Sequence, residues 1–241
     1  MVNELIAYCG PAAVPEDVWL RWNTDPVLIA ALAALAYGVA RRATHKNAGW
    51  AAIALMAVVF ISPLCALSSA LFSVRVLHHV ILVSAAAPLL ALAFPQRRAG
   101  VVPLALLVAA HAVALWVWHA PGPYAWGLAT VPGYWLMQIT LLGSAWWMWR
   151  AILANTTPNG SALVALAVTV GQMGLLGALI VFASVPLYPV HFASTLEWGF
   201  TPLSDQQLAG LLMWVPAMLP YLATGLWLAW TSLRPNTEVA L

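Results

Sequence analysis

Charge is what this sequence has least of. Only 7% of its 241 residues are Asp, Glu, Lys or Arg, and 63% are hydrophobic. A soluble domain carries about a quarter charged residues, so an ordinary water-soluble domain is excluded. The formal net charge of +2 is too small to suggest nucleic-acid binding. Cysteine is nearly absent. Cys9 and Cys65 lie in very different contexts, and no disulfide framework is indicated. A basic leader followed by an apolar run is missing from MVNELIAYCGPAAVPEDVWLRW, so these residues do not read as a cleaved signal peptide. Internal repeats and low-complexity tracts are missing too.

What is present is a series of long apolar runs. They cover residues 27–40, 49–70, 74–94, 101–118, 134–153, 161–184 and 206–232. Polar or Pro/Gly-rich turns separate them. About 20 apolar residues cross a bilayer core as a helix. The pattern therefore predicts an all-α integral membrane protein, a bundle of seven transmembrane helices spanning 27–232. An N-terminal arm, 1–26, precedes it and a tail, 233–241, follows it. Arg41, Arg42, Lys46, Arg97, Arg98, Arg150 and Arg234 then fall on one side, with Arg21 and Arg75 on the other. Lys and Arg concentrate in cytoplasmic loops, which puts the N-terminus outside and the C-terminus in the cytoplasm. Glu4, Glu16, Asp17, Asp25, Glu197 and Asp205 also fall outside, and no acidic residue lies within a predicted span. The Trp residues form two interfacial belts.

Histidine collects at the predicted outer end. Arg75, His78 and His79 open the third span, in SVRVLHHVILVSAAAPLLALAFP. Arg75 and His79 are four residues apart and share a helix face, while His78 points about 100° away. His119 ends the fourth span and His111 lies about 12 Å deeper. Cys65, Met137, Gln138 and Met213 are in outer thirds of other spans, and His191 is in the last outer loop. Imidazole suits copper, iron or zinc, and thiolate and thioether favour Cu(I). His79, His119, His111, His78, Met213 and Cys65 are therefore the candidate metal ligands. Arg75 cannot ligate. It is expected to pair with Asp205 and keep the imidazoles neutral. Each residue also has a plain reading. Intramembrane His often bonds across helices, Cys and Met fill cores, and His119 can cap carbonyls at its helix end. Ser204 with Gln207 fits a capping box, and Gly171, Gly174 and Gly177 fit close helix packing.

Three stretches together resemble the bacterial multi-span CtaG-like cytochrome c oxidase assembly family. LFSVRVLHHVILVSAAAPLLAL is similar to that family's third-span His-Met-x-x-His followed by Ala-Pro-x-Leu-Leu. VWHAPGPYAWGL is similar to its Trp-His-x-Pro turn. LSDQQLAGLLMWVPAMLPYL is similar to its Asp-Gln-Gln-x-Ala-Gly-x-x-Met-Trp pattern. Matched position by position, His79 takes the second His of the first motif. Trp118, His119 and Pro121 take the turn, and Asp205, Gln206, Gln207, Met213 and Trp214 the last pattern. Arg75 stands where the family commonly has a first His, and the fifth span reads Tyr134, Trp135, Leu136, Met137 and Gln138 where many members carry His-x-x-Glu-His. His78 and His111 either replace those ligands or the chain binds no metal.

The resemblance implies a non-enzymatic assembly factor for haem-copper oxidase in the bacterial plasma membrane. Its partners would be lipid and oxidase subunits, with Cu(I) held or passed at the outer face. Two other functions are compatible with the residues: an intramembrane redox protein with haem between His79 and His111, and a copper or small-solute transporter.

Overall fold

The computed structural model describes residues 8–98 and 100–233. Expectations that fall on residues 1–7, 99 and 234–241, including Glu4 and Arg234, lie outside that range. The described residues are helical, with no strand among them. Helix α1 (Pro26–Arg42) starts where the Asp25 carboxylate accepts the Val27 N–H and Pro26 takes the first position. Both choices suit orphan N–H groups. Arg41 and Arg42 occupy its last turn, where the helix dipole favours cations.

Helices α2 (Lys46–Ile61) and α3 (Leu64–Ala70) meet at 50° across Ser62-Pro63. Pro63 cannot continue the ladder, and the Ser62 hydroxyl folds back onto the Val58 carbonyl. Next, α4 (Phe72–Val80), a π turn (Ile81–Ala86) and α5 (Ala87–Ala93) form one rod. Pro88 accounts for the π turn. It has no N–H for the Ser84 carbonyl and its ring would press on that oxygen; widening the turn by one residue relieves both problems. Buried Trp149 donates its indole N–H to the Val83 carbonyl inside that turn, at 3.1 Å.

Helix α6 (Leu104–His119) bends by 77° into α7 (Pro121–Ala129). The stretch 119–133, read from the sequence as a turn, thus contains a helix, started by Pro121. Thr130 caps α8 (Val131–Ile152) by accepting the Gly133 N–H. There follow α9 (Asn159–Phe182), the short α10 (Ser194–Glu197) and α11 (Pro202–Trp214). After one 3₁₀ turn at Pro216–Met218 comes α12 (Leu219–Leu233). The capping box of α11 pairs Thr201 with Ser204, not Ser204 with Gln207. Pro202 at the first position starts the helix earlier than the sequence pattern suggested.

Among the described residues, three helical runs are long and apolar enough to cross a membrane: Phe72–Ala93, Asn159–Phe182 and Pro202–Leu233. The number rises to five if each bent pair is one span. The loops after α1, α5 and α8 lie at one end with Arg97, Arg98 and Arg150 near them, which we term the arginine-rich end. The breaks after α3 and α6 lie at the opposite, histidine end.

Helix α11 packs against both α9 and α4. The α9 contact depends on missing side chains. A Cβ on Gly210 would lie 2.7 Å from the Gly177 carbonyl oxygen and 2.5 Å from a Val181 methyl.

The N-terminal arm folds back over the histidine end, and this overturns one expectation. Cys9 and Cys65 form a disulfide, with Cα atoms 5.3 Å apart. Sequence context concealed the pairing because it depends on where the arm returns. Tyr8 donates to Asp25 at 2.5 Å and stacks on Tyr134, ring centres 4.6 Å apart. The Trp198 indole donates to the Ala13 carbonyl. Tyr8's hydrogen bond holds the Asp25 carboxyl below the usual carboxylate range.

Candidate metal site among buried histidines

Arg75, His78, His79, His111, His119 and Asp205 are all 3% exposed or less. The break between α3 and α4 determines what Asp205 does. Leu71 is extended, so α4 begins with free N–H groups in an apolar bundle. Asp205 reaches across from the first turn of α11 and accepts the Phe72 N–H at 2.7 Å, the Ser73 N–H at 3.2 Å and the Ser73 hydroxyl. A carboxylate there also suits the helix dipole.

Arg75 consequently does not pair with Asp205. Its Nε donates to the Ser68 carbonyl at 3.1 Å, and its guanidinium carbon lies 5.3 Å from the centre of the Tyr134 ring. One terminal nitrogen makes no hydrogen bond, and the Tyr124 and Tyr134 side chains neighbour the guanidinium. The expected ion pair fails because the backbone of α4 uses both carboxylate oxygens. Among the described residues, Arg21 and Asp17 form an ion pair at 2.7 Å, at the exposed arm.

Neighbouring Gln206 closes a second helix end. Its side-chain oxygen accepts the Leu187 N–H at 2.6 Å, and its nitrogen donates to the Ile180 carbonyl at the end of α9. Asp205 and Gln206 thus join α11 to α4 and α9.

The imidazoles are placed differently from one another. The rings of His79 and His119 are 5.8 Å apart, and His78 is 5.8 Å from His79. His119 Nδ1 lies 2.7 Å from the Leu115 carbonyl. A carbonyl only accepts, so Nδ1 carries the proton and Nε2 is bare. Nε2 of His119 and both ring nitrogens of His79 make no hydrogen bond. Neither ring nitrogen of His78 makes a hydrogen bond; the Val59 backbone is near it, and Phe60 meets its ring edge-on. His111 stands apart, with Nδ1 3.0 Å from the Ser144 hydroxyl. Gln138 has both amide atoms buried without a partner.

Buried polar groups are nearly always satisfied, so a row of bare imidazole nitrogens has the chemistry of a ligand set. Two imidazoles on one ion, at about 2.0–2.1 Å per nitrogen, have ring centres roughly 5–6 Å apart. The His79–His119 spacing fits such a pair. Among the described residues, no group of three or more His, Cys, Asp or Glu side chains is placed to hold an ion. Cys65 is oxidised and offers no thiolate, which corrects its place among the candidate ligands.

Other expected residues have packing roles. The Trp118 indole donates to Thr140 at 2.8 Å, joining α6 to α8, and stacks on Trp126. Pro121 starts α7 beyond the bend. Trp214 lies over Gly174 and Gly177. Met213 is buried on α11. Tyr134 and Tyr124 did not stand out in the sequence. Tyr134 lies beside both cysteine sulfurs, and the Tyr124 hydroxyl is 2.6 Å from His191 Nε2. The one sequence signal was for Tyr134, a phenol at the start of an apolar run, which needs a polar partner; Tyr124, in the turn, gave none. Burial, and after it the Arg75 charge, pushes the His191 imidazole in the 183–201 loop down to about 4.

The sequence model of the cytochrome c oxidase caa3 assembly factor family (Caa3_CtaG) matches residues 98–235, more than half of the chain. The chain belongs to that family. The Caa3_CtaG match takes in His111, Trp118, His119, Pro121, Asp205, Gln206, Met213 and Trp214; Cys65, Arg75, His78 and His79 precede it. No curated protein and no solved structure matches the chain. Membership in Caa3_CtaG indicates a factor for assembling cytochrome c oxidase, as the sequence motifs had implied.

Proposed function

We propose that this protein holds Cu(I) as cargo between His79 and His119, at the outer end of a seven-span bundle in the bacterial plasma membrane, for a maturing oxidase subunit. The 5.8 Å ring spacing, with three buried ring nitrogens that make no hydrogen bond, carries this reading. Imidazole is a suitable donor for copper. Arg75, held on the Ser68 carbonyl and Tyr134, contributes a fixed positive charge beside the pair. His78, in contact with the His79 ring, is the nearest further donor.

Two observations support the orientation. Lys and Arg gather at the end opposite the histidines. The Cys9–Cys65 disulfide is at the histidine end, and disulfides persist in oxidising compartments. Haem between His79 and His111 is disfavoured, since the ring neighbours of His79 are His78 and His119 while His111 is engaged with Ser144.

The test is Cu(I) titration of the purified protein against a competing chelator. One Cu(I) is expected per chain, lost in both His79→Ala and His119→Ala and retained in His111→Ala. An absence of competition by the unaltered protein, or unreduced affinity in either His79→Ala or His119→Ala, refutes the site. The broader reading is tested in cells: deletion lowers active terminal oxidase, and normal oxidase spectra in the deletion strain would end it.

A further inference from the structure

Two cavities at the arginine-rich end share one residue, Arg150. The first, about 690 Å³, is lined by the polar Arg150, Arg97, His45 and Gln96 together with apolar residues such as Leu92 and Leu153. The second, about 620 Å³, is an apolar groove among α1, α2, α5 and α8, lined by Leu35, Met56, Phe94, Leu142 and Trp146 as well as Arg150. The two cavities meet at Arg150, and Phe94 in the groove and Pro95 in the first cavity are chain neighbours at the end of α5.

Among the described residues, no carboxylate pairs with the charges in this region. Arg150 lies 4.9 Å from the Trp146 ring centre, and its Nε is buried with no hydrogen-bond partner. Arg97 makes a long 3.3 Å bond to the Thr44 hydroxyl, a neutral partner. None of the acidic residues Asp17, Asp25, Glu197 and Asp205 lines either cavity. A buried guanidinium donor next to a second arginine calls for an oxyanion, and the fork of an arginine suits phosphate. A long apolar groove leading from the same arginine calls for a hydrocarbon chain.

We infer that this double cavity binds one anionic phospholipid, with its phosphate on Arg150 and Arg97 and an acyl chain in the groove beside Trp146. Basic pockets between helices on the cytoplasmic side commonly take such headgroups. The inference rests on the membrane reading given above but not on copper binding. A lipid so placed ties the end of α5 to α8, and so braces from below the rod that carries His79.

The experiment reconstitutes the full chain into phosphatidylcholine vesicles containing a minor fraction of brominated phosphatidylglycerol or brominated phosphatidylcholine. The quenching due to Trp146 is taken as the difference between the protein and its Trp146→Phe variant. A preference for phosphatidylglycerol of at least about fivefold is expected, the effect of one basic residue near an anionic headgroup. It should fall toward unity in Arg150→Gln and fall partly in Arg97→Gln, an exposed loop change that leaves the bundle intact. Arg42→Gln, a basic change outside both cavities, should leave it unaltered. Equal quenching by the two lipids, or a preference that survives both Arg150→Gln and Arg97→Gln, overturns the inference while leaving the membrane reading in place. If neither lipid quenches any tryptophan, both fall. Millimolar inorganic phosphate at matched ionic strength separates the two sources of the anion. Lipid held by its chain stays bound, whereas full displacement shows a site for free phosphate and overturns the lipid assignment.

Discussion

Replacing Gly210 with alanine should loosen the bundle at a contact where the backbones of α9 and α11 touch. The added Cβ would sit 2.5 Å from a Val181 methyl, 2.7 Å from the Gly177 carbonyl oxygen and 2.9 Å from the Val181 nitrogen. The methyl can rotate away; the two backbone atoms cannot, so α11 must separate from α9. Overpacking of this kind costs about 1–3 kcal/mol. Gly177→Ala is milder, its nearest atom being the Gly210 oxygen at 3.0 Å. Gly171→Ala, on the same helix with nothing within 4 Å, should be neutral or should gain up to about 1 kcal/mol from helix propensity. The expected order of thermal midpoints in detergent is therefore Gly171→Ala highest, Gly177→Ala lower and Gly210→Ala lowest. About 2–4 °C per kcal/mol is a fair scale for a chain of this size. Because α11 also carries Asp205, the Gly210 variant should bind Cu(I) more weakly as well. A Gly210→Ala protein as stable as Gly171→Ala would show that α9 and α11 do not approach as described.

Three other outcomes are expected. Unreduced protein should take up no thiol-reactive label, since both cysteines are paired, and Cys9→Ser should destabilise by at most about 4 kcal/mol for the 56-residue separation; labelling before reduction contradicts the pairing. His191 stays neutral in the folded protein down to about pH 4 but takes up a proton near 6.5 when unfolded. The unfolded state therefore binds more protons below pH 6.5, and stability falls from there to about pH 4; His191→Gln should fall less steeply over that window, and parallel curves would refute the assignment. In spheroplasts of a background lacking Cys9 and Cys65, an impermeant thiol reagent should label Thr201→Cys and not Asn155→Cys, and the reverse pattern would invert the orientation.

The apolar runs in the sequence end within a few residues of the helix ends because the apolar stretches and the turn residues coincide: 74–94 against Phe72–Ala93, 161–184 against Asn159–Phe182. The breaks were harder to read. Pro63 lies inside the run 49–70 and bends it, yet the same residue type at Pro88 leaves its rod unbroken by way of a π turn. Whether proline bends or is absorbed depends on packing around it, here the Trp149 indole on Val83. The polar partners at the histidine end were hidden for a similar reason. Arg75 and Asp205 have opposite charges and adjacent depths, so pairing them was sensible. The extended Leu71 exposes N–H groups, and the carboxylate satisfies those first. Cys9 reaches Cys65 only because the arm doubles back, a path set by Tyr8, Tyr134 and Trp198 rather than by spacing.

The π turn has a consequence for how the third rod is phased. A regular helix advances about 100° per residue, so one extra residue in a single turn offsets everything on one side of it by that angle. Arg75 and His79 precede the turn and Leu90 and Phe94 follow it. The face that meets the His119 ring and the face that lines the groove beside Arg150 are therefore indexed separately, although they belong to the same rod. Winding Ile81–Ala86 as α-helix with every residue kept would leave α5 seated and swing His79 by about a quarter of a circle, away from His119, whereas losing one residue there would close the turn with both flanks in place.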